Sequence, residues 1–220
     1  MYAKKGSLAG IVRWWTLMSS LFLGLTAASG PVQADVLYAG VNYGNTKMKD
    51  KSACGTAGLV LSPGYTCSLD DKDNGWKLLG GFEFMENVAV ELSYANFGKA
   101  TASASGSGVT ASSDLKAKGF TFAFVGTLPV TKEFGLIGRI GTYRWNVESS
   151  ASTSSGTSIS RKDTKPGFTF DNIGIGLKYS INKIMDVRME WERFKDVGNT
   201  LLTGQSDIDF LSIGLVYKFQ

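Results

Sequence analysis

The sequence predicts an all-β fold, an eight-stranded antiparallel up-and-down transmembrane β-barrel preceded by a cleaved signal peptide. Three observations predict it. Segments of about ten residues alternate apolar with small or polar side chains, the period of a half-buried strand. Their connections are alternately long and short. The final segment has one wholly apolar face, and pairing it with the first leaves no open edge.

Residues 1–34 stand apart from this pattern. Lys4, Lys5 and Arg13 give a basic start, Trp14 to Ala28 is mostly apolar, and Val32-Gln33-Ala34 has the small residues of a signal-peptidase site. Cleavage after Ala34 is expected, leaving one domain over 35–220. The alternative is an uncleaved anchor, but the apolar run is short of the ~20 residues a spanning helix needs. Of 23 Lys and Arg residues three leave with the leader, so 20 bases face 19 acids and the net charge of +4 falls to +1. That balance does not offer the concentrated basic face of a nucleic-acid binder. The chain has no histidine and two cysteines, Cys54 and Cys67. In an exported protein such a pair points to a disulfide, since zinc would need further Cys or His ligands. Closing that loop would stabilise by about 3 kcal/mol in the chain-entropy model.

Taken in order, Val36 to Thr46 puts Leu37, Ala39, Val41 and Tyr43 on one face and Tyr38, Gly40, Asn42 and Gly44 on the other. The polar stretch to Asn74, holding both cysteines, reads as a long loop. Trp76, Leu78, Gly80, Phe82 and Phe84 alternate with Lys77, Leu79, Gly81 and Glu83. After a turn at Glu86-Asn87, Val88, Val90, Leu92 and Tyr94 alternate with Ala89, Glu91, Ser93 and Ala95. The Ala/Ser/Gly run from Lys99 to Ser113 reads as a flexible exposed loop, with no G-x-G-x-x-G or Walker pattern. Lys116 to Val130 is the fourth strand, Leu136 to Val147 the fifth, Phe168 to Ser180 the sixth and Ile184 to Lys195 the seventh, with a Ser/Thr-rich loop up to Pro166. The eighth, Asp207 to Gln220, sets Leu211, Ile213, Leu215, Tyr217 and Phe219 against Ser212, Gly214, Val216 and Lys218. Long connections on one side and tight turns on the other match external loops and periplasmic turns, with both ends of the chain periplasmic.

A soluble barrel shares the strand count, so the faces must separate the two readings. A soluble barrel points its apolar face inward and its charges to water; a membrane barrel inverts this. Glu83, Glu91, Arg139, Lys178, Arg188 and Glu190 lie opposite the apolar face, mostly two to six residues from their nearest short turn. Three acids and three bases at matching depth can neutralise one another as an interior ionic cluster, whereas an unpaired buried ion costs several kcal/mol. Trp76, Tyr94, Tyr179, Trp191, Tyr217 and Phe219 at the ends of the apolar band suit the aromatic girdles of lipid-facing barrels.

Four segments, G-F-E-F-M-E-N-V-A-V-E-L-S-Y (81–94), L-P-V-T-K-E-F-G-L-I-G-R-I-G (128–141), G-L-K-Y-S-I-N-K-I-M-D-V-R-M-E-W (176–191) and L-S-I-G-L-V-Y-K-F (211–219), resemble the transmembrane domain of the OmpA family. The resemblance implies an outer-membrane barrel with a buried ionic network, to which Glu91, Arg139, Arg188 and Glu190 correspond. Val125, Lys178 and Asn42 stand where the family often has lysine, glutamate and lysine, so gating schemes built on those partners do not carry over. The family's peptidoglycan-binding domain is not expected after Gln220. Its barrels are monomers placed by the barrel assembly machinery, and no cofactor is expected.

Two functions follow, a structural or surface-contact barrel plugged by its charged network and a narrow porin-like ion channel. An interior just wide enough for side chains favours the first. Catalysis is not expected, because barrel enzymes of this kind rely on a histidine and no G-x-S-x-G elbow is present. Lys116, Lys118, Arg144, Arg193 and Lys195 fall on the lipid-facing side. Arg144 lies nine residues above Gly135 and Arg193 nine above Ile184. At roughly 2.5 Å of climb per residue, both reach the top of an apolar band ~25 Å tall. The five residues are candidates for an external collar on lipopolysaccharide phosphates, with solvated rim residues as the alternative.

Overall fold

A computed structural model describes residues 36–50, 66–106, 109–164, 169–199 and 204–219. The leader and Cys54 lie outside the described residues. The strands are β1 (Val36–Asp50), β2 (Thr66–Asp70), β3 (Lys72–Met85), β4 (Val88–Gly106), β5 (Val109–Pro129), β6 (Phe134–Thr153), β7 (Ser158–Thr164), β8 (Thr169–Ser180), β9 (Met185–Asn199) and β10 (Gly204–Phe219). Eight of them make a closed antiparallel ring in the order β1, β3, β4, β5, β6, β8, β9, β10. The closing ladder runs from Leu37 opposite Phe219 to Asp50 opposite Ser206. Closure gives every backbone amide in the band a partner, the condition hydrocarbon imposes.

The strand count differs from expectation, because the described residues hold ten strands. β2 pairs with the upper part of β4 and β7 with the upper part of β6, both outside the ring. Lys99 to Gly106 and Val109 to Ser113, expected within a loop, form a ladder: β4 and β5 pair up to Gly106 opposite Val109. The Ser/Thr-rich stretch after Val147 continues β6 to Thr153 and returns as β7. Once a ladder is in register, further pairs need only backbone donors and acceptors, and small hydroxyl residues add cross-strand bonds. Ser112 and Ser152 are linked at 3.0 Å, and Thr101 donates to Asp114 at 2.8 Å. No apolar face is needed in such an extension, so no hydrophobic period marks it.

Within the ring the alternation separates two surfaces. Leu37, Ile175 and Leu128 point outward at 56%, 65% and 64% exposure, while Lys77 and Glu192 point inward at 0%. Apolar outside and charged inside is the inverse of a soluble barrel.

Candidate functional site

The lumen is built in layers. Its charged layer joins four strands: Lys77 from β3, Glu91 from β4, Arg139 from β6, and Arg188, Glu190 and Glu192 from β9. Arg139 lies at the centre, with Nη2 donating to Glu91 Oε2 at 2.9 Å and Nη1 to Glu190 Oε2 at 2.7 Å, and with Glu192 Oε1 3.3 Å from Nη1. Lys77 Nζ donates to Glu190 Oε2 at 3.2 Å and pairs with Glu192. Arg188 Nη1 donates to Glu91 Oε1 at 2.5 Å, and its guanidinium stacks 5.0 Å from the centre of the Tyr38 ring. Tyr38 in turn donates its hydroxyl to Glu91 Oε1 at 2.9 Å. Three bases and three acids thus cancel in a site that is almost wholly buried.

Sequence reasoning placed four of these six and missed Lys77 and Glu192. Both were on the inward face but lie farther from their short turns than the chosen depth allowed. Barrel strands are tilted and staggered, so residues at unequal distances from a turn share a level. Glu83 and Lys178, expected in the cluster, are not part of it. Glu83 instead accepts the Asn87 amide at 3.0 Å, holding the β3–β4 turn in which Asn87 takes a φ of +66°. Lys178 is half-buried near the turn end and makes no ion pair with the ring among the described residues.

Layers of packed side chains lie on both sides of the charged one, and the one toward the short turns also holds the buried Asp186, paired with Lys218 at 2.8 Å. Toward the short turns lie Leu79, Ala89, Ala123, Val125, Ile137 and Val216. Toward the long connections an aromatic layer fills the lumen: the Phe97 ring centre is 4.6 Å from Phe194 and 5.9 Å from Phe210, and Tyr143 is 5.4 Å from Phe194. Met48, Trp145, Val147, Val197 and Ile208 pack around them. Polar side chains inside were expected of a membrane barrel; this interior combines a central charged cluster with large apolar groups on either side of it.

The closed ring with its inverted faces and buried ion cluster agrees with a family match over residues 32–220, to the OmpA-like transmembrane domain. The chain belongs to that family. Among solved structures, this OmpA-like barrel is similar to Ail, the attachment invasion locus protein of Yersinia pestis, at 17% identity over 85% of this chain and 100% of that one, with a TM-score of 0.54. It is also similar to Neisserial surface protein A, at 12% identity over 83% and 97% of the two chains, with a TM-score of 0.51. At such identities the likeness speaks for the fold alone. No curated protein matches the chain.

On the outer wall of the OmpA-like barrel, all five candidate collar residues lie on the lipid-facing side. Lys116, Arg144 and Lys195 are exposed, and Lys118 and Arg193 half-buried. Arg193 is already engaged, since its guanidinium donates to Asp209 at 2.6 and 3.0 Å while Lys49 reaches the same carboxylate at 2.8 Å. Lys162, and then Lys118, hold the Glu148 carboxyl below the usual carboxylate range. Cys67 lies on β2 opposite Ala104.

Proposed function

We propose that this is an outer-membrane barrel of structural and surface-contact type, plugged inside, whose long connections face outward and whose ends face the periplasm. The observation that carries the reading is the charged layer buried between layers of packed side chains. An ion crossing it would have to break the Arg139 cluster and then shed water against Phe97, Phe194 and Phe210. A catalytic role has no support in a chain without histidine. The reading further includes removal of residues 1–34 by signal peptidase, insertion as a monomer by the barrel assembly machinery, and a disulfide between Cys54 and Cys67. The basic rim residues contact lipopolysaccharide phosphates, with Lys116, Lys118, Arg144 and Lys195 better disposed than the engaged Arg193.

Planar-bilayer recording on the refolded protein tests the plug. Wild type is expected to give no unitary current steps. Reproducible steps would replace this reading by the narrow, low-conductance channel.

A further inference from the structure

On β4 the odd-numbered residues Ala89, Glu91, Ser93, Ala95 and Phe97 point into the lumen, and unbroken alternation would send Lys99 after them. It does not go there. Between the pairs Asn96–Lys118 and Lys99–Lys116, β4 has two residues, Phe97 and Gly98, against Ala117 alone on β5. This bulge reverses the alternation, burying Ala100 and turning Lys99 outward. Gly98 takes a φ of +74°, and a Cβ there would overlap the carboxylate of Asp73, which accepts the Lys99 amide at 2.7 Å. At the bulge lies a cavity of about 320 Å³, lined by Asp73, Gly98, Lys99, Lys116, Lys118 and Glu148 among others.

Cations crowd this cavity. Lys99 and Lys116 are direct cross-strand neighbours, an arrangement that costs stability unless an anion lies between them. Their carboxylate partners are shared and loosely held: Lys99 is 3.7 Å from Asp114, Lys118 is 3.8 Å from Glu148, and Glu148, which also lies opposite Lys116, is closer to Lys162 at 3.3 Å. Asp73 spends its oxygens on the amides of Lys99 and Asn74. Directly below, on the same outward face, Trp76, Tyr94 and Phe120 form a strip with ring centres 5.7 and 4.9 Å apart. Lys118 lies eight residues above Gly126. That is roughly 20 Å up an apolar band ~25 Å tall, from where an extended lysine side chain reaches the lipid headgroups.

We propose that this notch is a single, saturable binding site for the phosphate of an outer-leaflet amphiphile, held by Lys99, Lys116 and Lys118, with the start of its acyl chain along Trp76, Tyr94 and Phe120. The proposal rests on the reading of the rim as a lipopolysaccharide contact, and narrows that contact to one built cavity. Lys99 is its necessary member, placed by the bulge.

The test uses full-length mature protein refolded in zwitterionic micelles and titrated with diphosphoryl lipid A, with the same lipid A stripped of phosphate, and with inorganic pyrophosphate. Saturable binding of the phosphorylated lipid is expected, with weaker binding of the other two. Changing Lys99, Lys116 and Lys118 together to Gln should weaken it by about tenfold or more, the effect of losing charge-assisted contacts. An equal charge change at Lys47, Lys72 and Arg161, exposed cations outside the rim set, should leave it largely intact. Equal losses in both triple variants would overturn the notch and leave a diffuse collar; no loss in either would overturn both. Equal binding of dephosphorylated lipid would also overturn the notch. Pyrophosphate binding as tightly as lipid A would show a free-anion site and overturn the role of the aromatic strip. On unaltered protein, lipid A should protect these three amines from acetylation more than Lys47 or Lys72, as read by mass spectrometry; uniform protection would refute the site.

Discussion

Removing Arg139 is the most informative perturbation of the lumen. Its guanidinium is within 3.3 Å of Glu91, Glu190 and Glu192, all at 0–1% side-chain exposure. With Met in its place, three carboxylates would face only Lys77 and Arg188, leaving one buried negative charge uncompensated. Breaking a buried pair from one side costs about 3–5 kcal/mol. Changing Glu91 to Gln as well restores neutrality, since Lys77 and Arg188 then balance Glu190 and Glu192, and Arg188 keeps its stack on Tyr38. The double variant should therefore be more stable than Arg139→Met alone, with a coupling energy of about 2 kcal/mol. Urea unfolding in phosphatidylcholine vesicles, followed by the emission of Trp76, Trp145 and Trp191, measures all four corners of the cycle. Strictly additive losses, or a double variant weaker than the single, would refute the argument that net charge in the sealed layer governs stability.

Other outcomes follow from the same structure. Gly174→Ala should destabilise by about 1–3 kcal/mol in the same assay, because its Cβ would come within 2.7 Å of Arg139 Cγ and 2.8 Å of Cδ. Unreduced protein should show no free thiol by mass spectrometry, and Cys54→Ser with Cys67→Ser should leave the folded barrel's gel mobility unchanged, since Cys67 lies on β2 outside the ring. Deletion from Asp207 onward should prevent membrane insertion, judged by protease sensitivity, because β1 would lose its partner along the closing ladder.

What the sequence disclosed, and what it hid, follows from which interactions leave a periodic trace. Lipid-facing side chains must be apolar at every second position, so the wall was legible from Leu37 to Phe219. Ladders that continue beyond that wall rest on backbone groups and small polar side chains, and β2, β7 and the upper parts of β4, β5 and β6 left no such trace. Lys77 and Glu192 were on the correct face, but the stagger that brings them beside Arg139 depends on all strands at once. Lys99 was concealed by a one-residue bulge, for which Gly98 within a run of alternating residues was the available sign. Glu83 kept the expected face until the irregularity between Glu83 and Met85, where the turn claims its carboxylate.

The charged layer has a further rule, written in its glycines. Arg139 lies opposite Gly174 across β6 and β8, and Gly174 also opposes Glu192 across β8 and β9. Glu190 lies opposite Gly176, Arg188 opposite Gly214, and Glu91 opposite Gly81. Same-face neighbours on adjacent strands have Cβ atoms only about 5 Å apart, so a glycine gives a long ionic side chain room to lie across the wall toward its counter-ion. Lys77, flanked instead by Asn42 and Ala95, is the exception. Above the charged layer the logic reverses. Large side chains such as Phe97, Phe194 and Phe210 meet ring to ring across the axis and fill the lumen by volume. An eight-stranded barrel has just enough interior for one of these solutions at each level. Stacking them places the charges where protein shields them on every side, so that their mutual pairing, with little help from water, sets which strands face one another.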